Sequence, residues 1–303
     1  MDALPKVVQT QGLVRKYGRT TALHGLDLSI PEGAVFALVG PNGAGKTTLI
    51  KVLANLAQPS FGYATVMGED SKLLRGQLLE RLGYISENQE LPGWMTVGYY
   101  LDYLRPFYPT WDAALEQQLL QMLDVPLDRK LKSLSRGQRM KAAFAGVLSY
   151  RPYLVILDEP FSGLDPLVRE ELIAVLKSCA GQMTFLVSSH DLDEIEGFAT
   201  HVGFLEKGKM LFVEEVAPLR RRFQRVEFDL AAPPEGFAIP SPWMEAQWYA
   251  GVYSFAINNP EGADVTRARV LEHFPEARNI QVASMGLRQI FLAVARSRRG
   301  GAA

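Results

Sequence analysis

The stretch GPNGAGKTT at positions 40–48 sets glycines, a lysine and two threonines at close spacing. Glycine carries no Cβ, so Gly40, Gly43 and Gly45 let the backbone wrap tightly round phosphate oxygens with its N–H groups turned inward. The spacing satisfies G-x-x-x-x-G-K-[ST], in which Lys46 reaches the β- and γ-phosphates of a nucleotide and the Thr47 hydroxyl ligates Mg2+. Phosphoryl transfer also needs a metal carboxylate and a group that orients water. LVILDEP (154–160) offers both: Asp158 to hold Mg2+ or its waters, and Glu159 as general base towards the attacking water. Two acids capping a following helix are the plainer alternative. TFLVSSH (184–190) brings His190 to the end of another apolar run, where an imidazole can hydrogen-bond a terminal phosphate and register its loss. A surface histidine is the plainer alternative there. In SLSRGQRMK (133–141), ahead of AAFAGVL, small residues open a helix whose bare N–H groups suit an anion, unless Ser135 is simply an N-cap.

Strand ends and helix starts must position these groups. VFALVG (35–40), YLVILD (153–158) and TFLVSS (184–189) are continuous apolar runs, the pattern of strands buried on both faces in a parallel sheet. Each precedes a loop and then helical sequence, so an α/β fold with ligands at the carboxyl ends of its strands is expected. LVRKYG, LDLSI and YATVM read as antiparallel strands flanking the first parallel one. From about 93 to 150 the pattern turns helical, as in DAALEQQLLQMLDV, and predicts a helical insertion. The expected organisation is a first domain over 1–220 and a small α+β domain over 221–303, with RVEFDL and RNIQVA as strands and VTRARVLEHF and LRQIFLAVAR as helices. SRRGGAA at the end is expected to be disordered. No internal repeat gives a second copy of the nucleotide unit.

Composition narrows the function classes. Lys+Arg total 32 and Asp+Glu 33, so the strong basic excess of a nucleic-acid binder is missing. The single cysteine, Cys179, excludes an intramolecular disulfide framework. MDALPKVVQT lacks the layout of a secretory signal, and AQWYAGVYSFAINNP (246–260), the longest uncharged stretch, is too short and too polar to span a bilayer. The chain is not expected to cross a membrane.

In this order the motifs resemble those of ABC transporter ATP-binding subunits over residues 7 to about 215. GPNGAGKTT is similar to the family's Walker A, LSRGQ (134–138) to its signature, LVILDEP to its Walker B, SGLD (162–165) to its D-loop and His190 to its switch histidine. LSRGQ departs from many members by carrying Arg136 in place of glycine. The resemblance implies a P-loop NTPase core with an antiparallel β subdomain and the helical insertion. It implies ATP and Mg2+, with Gly40, Pro41, Asn42, Gly43, Ala44, Gly45, Lys46, Thr47 and Thr48 on the triphosphate. It also implies that Ser135, Gly137 and Gln138 cap the γ-phosphate of ATP held by a second ATPase subunit, whether a homodimer or a related heterodimer.

Tyr17 matches the family's adenine-stacking aromatic, with strand packing as the alternative. The Q-loop position falls on Glu87, with Gln89 as the competing choice for contact with Mg2+ or water. PGWMTVGYYLDYLRPFYPTW (92–111) reads either as a docking groove for a membrane subunit or as the insertion's own core. The acidic Q-loop and FYPTWD most resemble exporters with separate integral-membrane permeases, which implies a cytoplasmic protein held peripherally at the membrane. An importer ATPase and a soluble cassette acting on nucleic acid or ribosomes are the alternatives. Trp243, Trp248, Tyr249, Tyr253 and Phe255 read as a partner surface or as the small domain's own core.

Overall fold

In the computed structural model, which describes residues 5–232 and 243–300, the chain enters through two long strands, β1 (Lys6–Tyr17) and β2 (Thr20–Pro31). They pair antiparallel from Lys6↔Pro31 to Tyr17↔Thr20. Next come β3 (Val35–Val39), α1 (Lys46–Leu53), β4 (Phe61–Val66) and the short β5 (Glu69–Asp70). β4 pairs antiparallel with both β1 and β5, which completes a four-stranded sheet of order β2-β1-β4-β5.

A short α2 (Gln77–Glu80) leads into β6 (Leu82–Ile85). Three helices follow: α3 (Val97–Leu104), α4 (Ala113–Leu123) and α5 (Arg136–Leu148). The chain then runs through β7 (Leu154–Asp158), α6 (Pro166–Cys179), β8 (Thr184–Ser189), a one-turn α7 (Leu192–Ile195), β9 (His201–Glu206) and β10 (Lys209–Glu215). The second sheet has the order β10-β9-β3-β8-β7-β6, and its pairs from β9 to β6 are all parallel. Every residue of β3, β7 and β8 is buried, the consequence of covering a parallel sheet on both faces.

The helical insertion fills the crossover between β6 and β7, which lie side by side in this sheet. Side-chain caps fix its helix starts: Thr96 begins α3, Asp112 begins α4 and Ser135 begins α5. Tyr100 and Leu101 of α3, Leu119 of α4 and Phe144 of α5 are buried, whereas Trp94, Tyr99, Tyr103 and Phe107 stand exposed. The aromatic stretch 92–111 is therefore divided between core and surface. Elsewhere Val8, Leu13 and Ile30 of the antiparallel sheet share one core with Phe36 and Leu38 of β3 and with Leu49 and Leu53 of α1. Each large apolar side chain so buried contributes about 1.5–3 kcal/mol, and together they clamp the loop between β3 and α1 at its two ends.

The chain divides into two units, Met1–Val213 and Glu214–Ala303. The second contains α8 (Val216–Arg222), β11 (Phe223–Asp229), β12 (Trp243–Tyr249), β13 (Val252–Asn258), α9 (Ala263–His273), β14 (Arg278–Ser284) and α10 (Leu287–Gly300). Its sheet, of order β12-β13-β11-β14, is antiparallel. Trp243 stacks on Phe255 at 3.8 Å, and Phe228, Tyr253 and Phe274 close round them. These aromatics form the unit's own core, while Tyr249 is 82% exposed. α10 continues through residues 297–300, so helix occupies the start of the segment expected to be disordered. The last three residues, and most of the breaker-rich AAPPEG, lie outside the described residues. Among the described residues no helix is long and apolar enough to cross a membrane.

Candidate functional site

The loop from Gly40 to Gly45 can be built only with glycine at its critical points. Gly43 and Gly45 have φ of 78° and 110°, in the left-handed region. A Cβ on Gly40 would stand 2.1 Å from the Leu205 carbonyl oxygen, and one on Gly45 would stand 2.8 Å from that of Ala22. Lys46 begins α1 and is buried. Its Nζ donates to the Gly40 carbonyl at 2.6 Å and lies 3.1 Å from Glu159 Oε1. A cavity of about 220 Å³ opens here, lined by Asn42, Gly43, Ala44, Gly45, Lys46, Thr47 and Thr48 together with Ala22, Glu87 and Glu159.

β7 carries the two acids into this cavity region. Asp158 Oδ1 accepts from the Thr47 hydroxyl at 3.3 Å and from the Ser188 hydroxyl at 2.7 Å. A hydroxyl and a carboxylate beside a phosphate loop suit Mg2+, which keeps most of its waters and takes few protein ligands. Among the described residues no group of three or more His, Cys, Asp or Glu side chains forms a full metal cage. The donor set thus fits Mg2+ held jointly by protein and substrate oxygens.

Glu159 is held in a backbone conformation unusual for its type, with φ of 51°. Such strain costs on the order of 1–3 kcal/mol and persists only where the surroundings enforce it. Here the Glu159 N–H donates to Ser188 Oγ at 2.9 Å, and the carboxylate bridges Lys46 and His190, with His190 Nδ1 at 2.8 Å from Oε2. The hydrogen bond to Glu159 raises the His190 pKa; burial opposes it, the charges of Glu159 and Glu194 add to it, and Lys46 subtracts. Glu194 accepts from the Ser189 hydroxyl at 2.7 Å, and burial pushes its own pKa up. Sequence reasoning passed over Ser188 and Glu194. Ser188 lies directly opposite Asp158 in the β7–β8 register, a relation that no single motif displays.

Glu87 and Gln89 part company in the structure. Glu87 lines the phosphate-loop cavity and accepts from the Ser162 hydroxyl at 3.1 Å. Gln89 folds back, its Oε1 accepting from the Ser86 N–H at 3.1 Å. Tyr17 sits at the tip of the β1–β2 hairpin, half exposed, with the Arg15 guanidinium 4.4 Å above its ring, and does not line the cavity.

The LSRGQ segment opens α5. Ser135 and Gln138 form a capping box: Ser135 Oγ accepts from the Gln138 N–H at 3.2 Å, and Gln138 Oε1 accepts from the Ser135 N–H at 3.1 Å. Gly137 is buried against Val168, whose nearest atom would meet an added Cβ at 3.1 Å. None of Ser135, Gly137 or Gln138 lines the phosphate-loop cavity.

A phosphate loop closing on a buried lysine, with two acids and a histidine delivered by neighbouring parallel strands, places the chain in the class of P-loop nucleotide hydrolases. Comparison with known proteins is more specific. The family described as ABC transporter matches residues 23–162. The lantibiotic transport ATP-binding protein SrtF of Streptococcus pyogenes is 34% identical over 215 residues, which cover 69% of this chain and 91% of that protein. The bacitracin transport ATP-binding protein BcrA of Enterococcus faecalis is 29% identical over 236 residues, covering 76% and 77%. A solved dimeric ATP-binding cassette in a post-hydrolysis state with ADP and phosphate shares the fold, with a TM-score of 0.60 at 22% identity over 69% of this chain and 98% of that one. The chain belongs to the ABC transporter ATP-binding proteins and is an ATPase.

Proposed function

We propose that two copies of this cassette, or this chain and a related subunit, close on two Mg-ATP molecules and drive export through a separate integral-membrane permease. The observation that carries this reading is the separation of Ser135, Gly137 and Gln138 from the phosphate-loop cavity within one chain. A half-site with a phosphate cradle but no cap is completed by the cap of a second copy. ATP, with several negative charges, then holds two surfaces together, and hydrolysis removes the charge that joins them.

Each half-site divides the work among its residues. Lys46 exchanges its hold on Glu159 for the β- and γ-phosphates. Thr47 and Asp158 would hold Mg2+, which when bound would neutralise charge on the transferring phosphoryl group. Glu159, held by Ser188 and His190, accepts a proton from the attacking water. His190 keeps Nδ1 on Glu159 and turns Nε2 to the γ-phosphate. Glu87, which lines the cavity, would contact Mg2+ or water, and Tyr17, with Arg15 over one face, stacks adenine on the other. The names of the relatives support transport, and a permease partner would hold the protein at the cytoplasmic face of a membrane.

Glu159→Gln tests the reading. It should bind ATP, stop turning over and accumulate as a dimer on gel filtration. Wild-type turnover per chain that stays constant on dilution far below any dimer dissociation constant would sink the two-copy site. Co-purification with ribosomes or DNA, and with no membrane protein, would replace transport by the soluble reading.

A further inference from the structure

Arg136 occupies the first helical position of α5, directly after the capping Ser135. Its side chain turns away from the cap towards two other loops. Nη2 donates to the Glu87 carbonyl at 3.2 Å. The guanidinium also lies against Gly163, where a Cβ added to that glycine would meet Nη1 at 3.6 Å and Cζ at 3.7 Å. Ser162, next to Gly163, donates its hydroxyl to Glu87 Oε1 at 3.1 Å. Arg136 at the start of α5, Glu87 after β6, and Ser162 and Gly163 after β7 therefore make a closed ring of contacts between a helix start and two loops.

Glu87 is the wall shared by two cavities. One side faces the phosphate-loop cavity with Lys46, Thr47 and Glu159. The other faces a cavity of about 510 Å³ lined also by Arg136, Arg139 and Lys132. The start of α5 is itself stiff. The Ser135–Gln138 box ties its first turn, and Arg139 Nη1 donates to the Leu134 carbonyl at 2.8 Å. A planar five-donor guanidinium can hold a carbonyl and pack on a backbone at once, so Arg136 ties Glu87 to the first turn of α5. Glycine at position 136 would provide neither contact.

We propose that Arg136 is a positioning residue that couples the two faces of one chain. Through Glu87, the occupancy of the chain's own phosphate loop sets the pose in which its Ser135 meets the nucleotide of the other copy. This rests on the two-copy reading and adds to it a residue and a route. The coupling runs from one nucleotide to the other through a single chain, and Arg136 does not line that chain's own phosphate-loop cavity.

The test is ATPase rate against ATP concentration for the wild type, Arg136→Ala, Ser162→Ala and the double variant. Alanine suits a helix start, so α5 is retained. The wild type should respond sigmoidally. R136A should become hyperbolic, with kcat lowered about fivefold, the scale of one solvent-exposed hydrogen bond, and KM nearly unchanged. The double variant should be no worse than R136A, since the ring is already open. Backbone amide exchange at residues 86–89 should accelerate in R136A, a change that loss of a direct phosphate contact would not produce. A sigmoidal R136A with wild-type kcat and exchange overturns the proposal, and so does full additivity in the double variant. A wild type that is itself hyperbolic and indifferent to protein concentration overturns the two-copy reading, and the proposal with it.

Discussion

Each of the two units buries a polar cluster, and the two clusters differ in kind. In Glu214–Ala303 the buried Gln224, Asn259 and Thr266 satisfy one another: the Thr266 hydroxyl donates to Gln224 Oε1 at 2.6 Å and accepts from Asn259 Nδ2 at 2.9 Å. All three are neutral, and Asn259 Oδ1 takes a further bond from the Glu261 N–H at 3.1 Å. In Met1–Val213 the buried Lys46, Asp158 and Glu159 are charged residues, Glu159 sits at positive φ, and Lys46 and Glu159 line a cavity. Burying charge is costly even when it is paired. The comparison teaches that burial of polar groups does not mark a site. Charge, strain and access to a cavity, found together, do.

The contrast can be broken by substitution, starting where the effect is greatest. Glu159→Gln removes the proposed base while keeping its shape. It should lower kcat by about two to four orders of magnitude in a phosphate-release assay; a drop of less than tenfold would put Glu159 in the structural category of the second cluster. Gly40→Ala forces a methyl group to 2.1 Å from the Leu205 carbonyl oxygen. It should abolish ATP binding by equilibrium dialysis and destabilise the fold by about 1–3 kcal/mol, the cost of overpacking. Thr266→Val leaves Gln224 and Asn259 without their shared hydroxyl. It should cost about 1–3 kcal/mol in urea unfolding, read from Trp243 and Trp248 fluorescence, while ATP turnover stays at the wild-type value. A turnover defect would show that the second cluster is more than scaffold.

The smallest effect is on pH. His190 has its pKa raised above the ordinary 6.5, first through its hydrogen bond to Glu159. A folded-state pKa above the unfolded one gives stability that is complete below 6.5 and is lost as pH rises through the raised value. Because the side chain is 44% exposed, solvent screening keeps this contribution slight. In Glu159→Gln the His190 titration, followed by NMR at the ring Cε1 proton, should fall back towards the ordinary value. An unshifted titration would detach His190 from Glu159.

Much of the fold was legible because its causes are local. GPNGAGKTT declares its loop, since positive φ at Gly43 and Gly45 and the close approaches at Gly40 and Gly45 exclude side chains position by position. Apolar runs declared β3, β7 and β8, because a strand covered on both faces must be apolar throughout. The Ser135 cap declared the start of α5. The small unit's aromatics left core and surface both open, since period-two alternation does not say which face another element covers; packing turned Trp243 and Phe255 inward and left Tyr249 out.

What the sequence determined by itself was therefore the set of strands, caps and glycine turns, each dictated by sterics or solvation within a few residues. Only the tertiary structure decided that Ser188 stands opposite Asp158, that Glu87 faces the cavity while Gln89 folds onto Ser86, and that Arg136 reaches back to Glu87. Those relations depend on strand register and on loops meeting in space, and register is set by the packing of the whole sheet rather than by any residue's own preference.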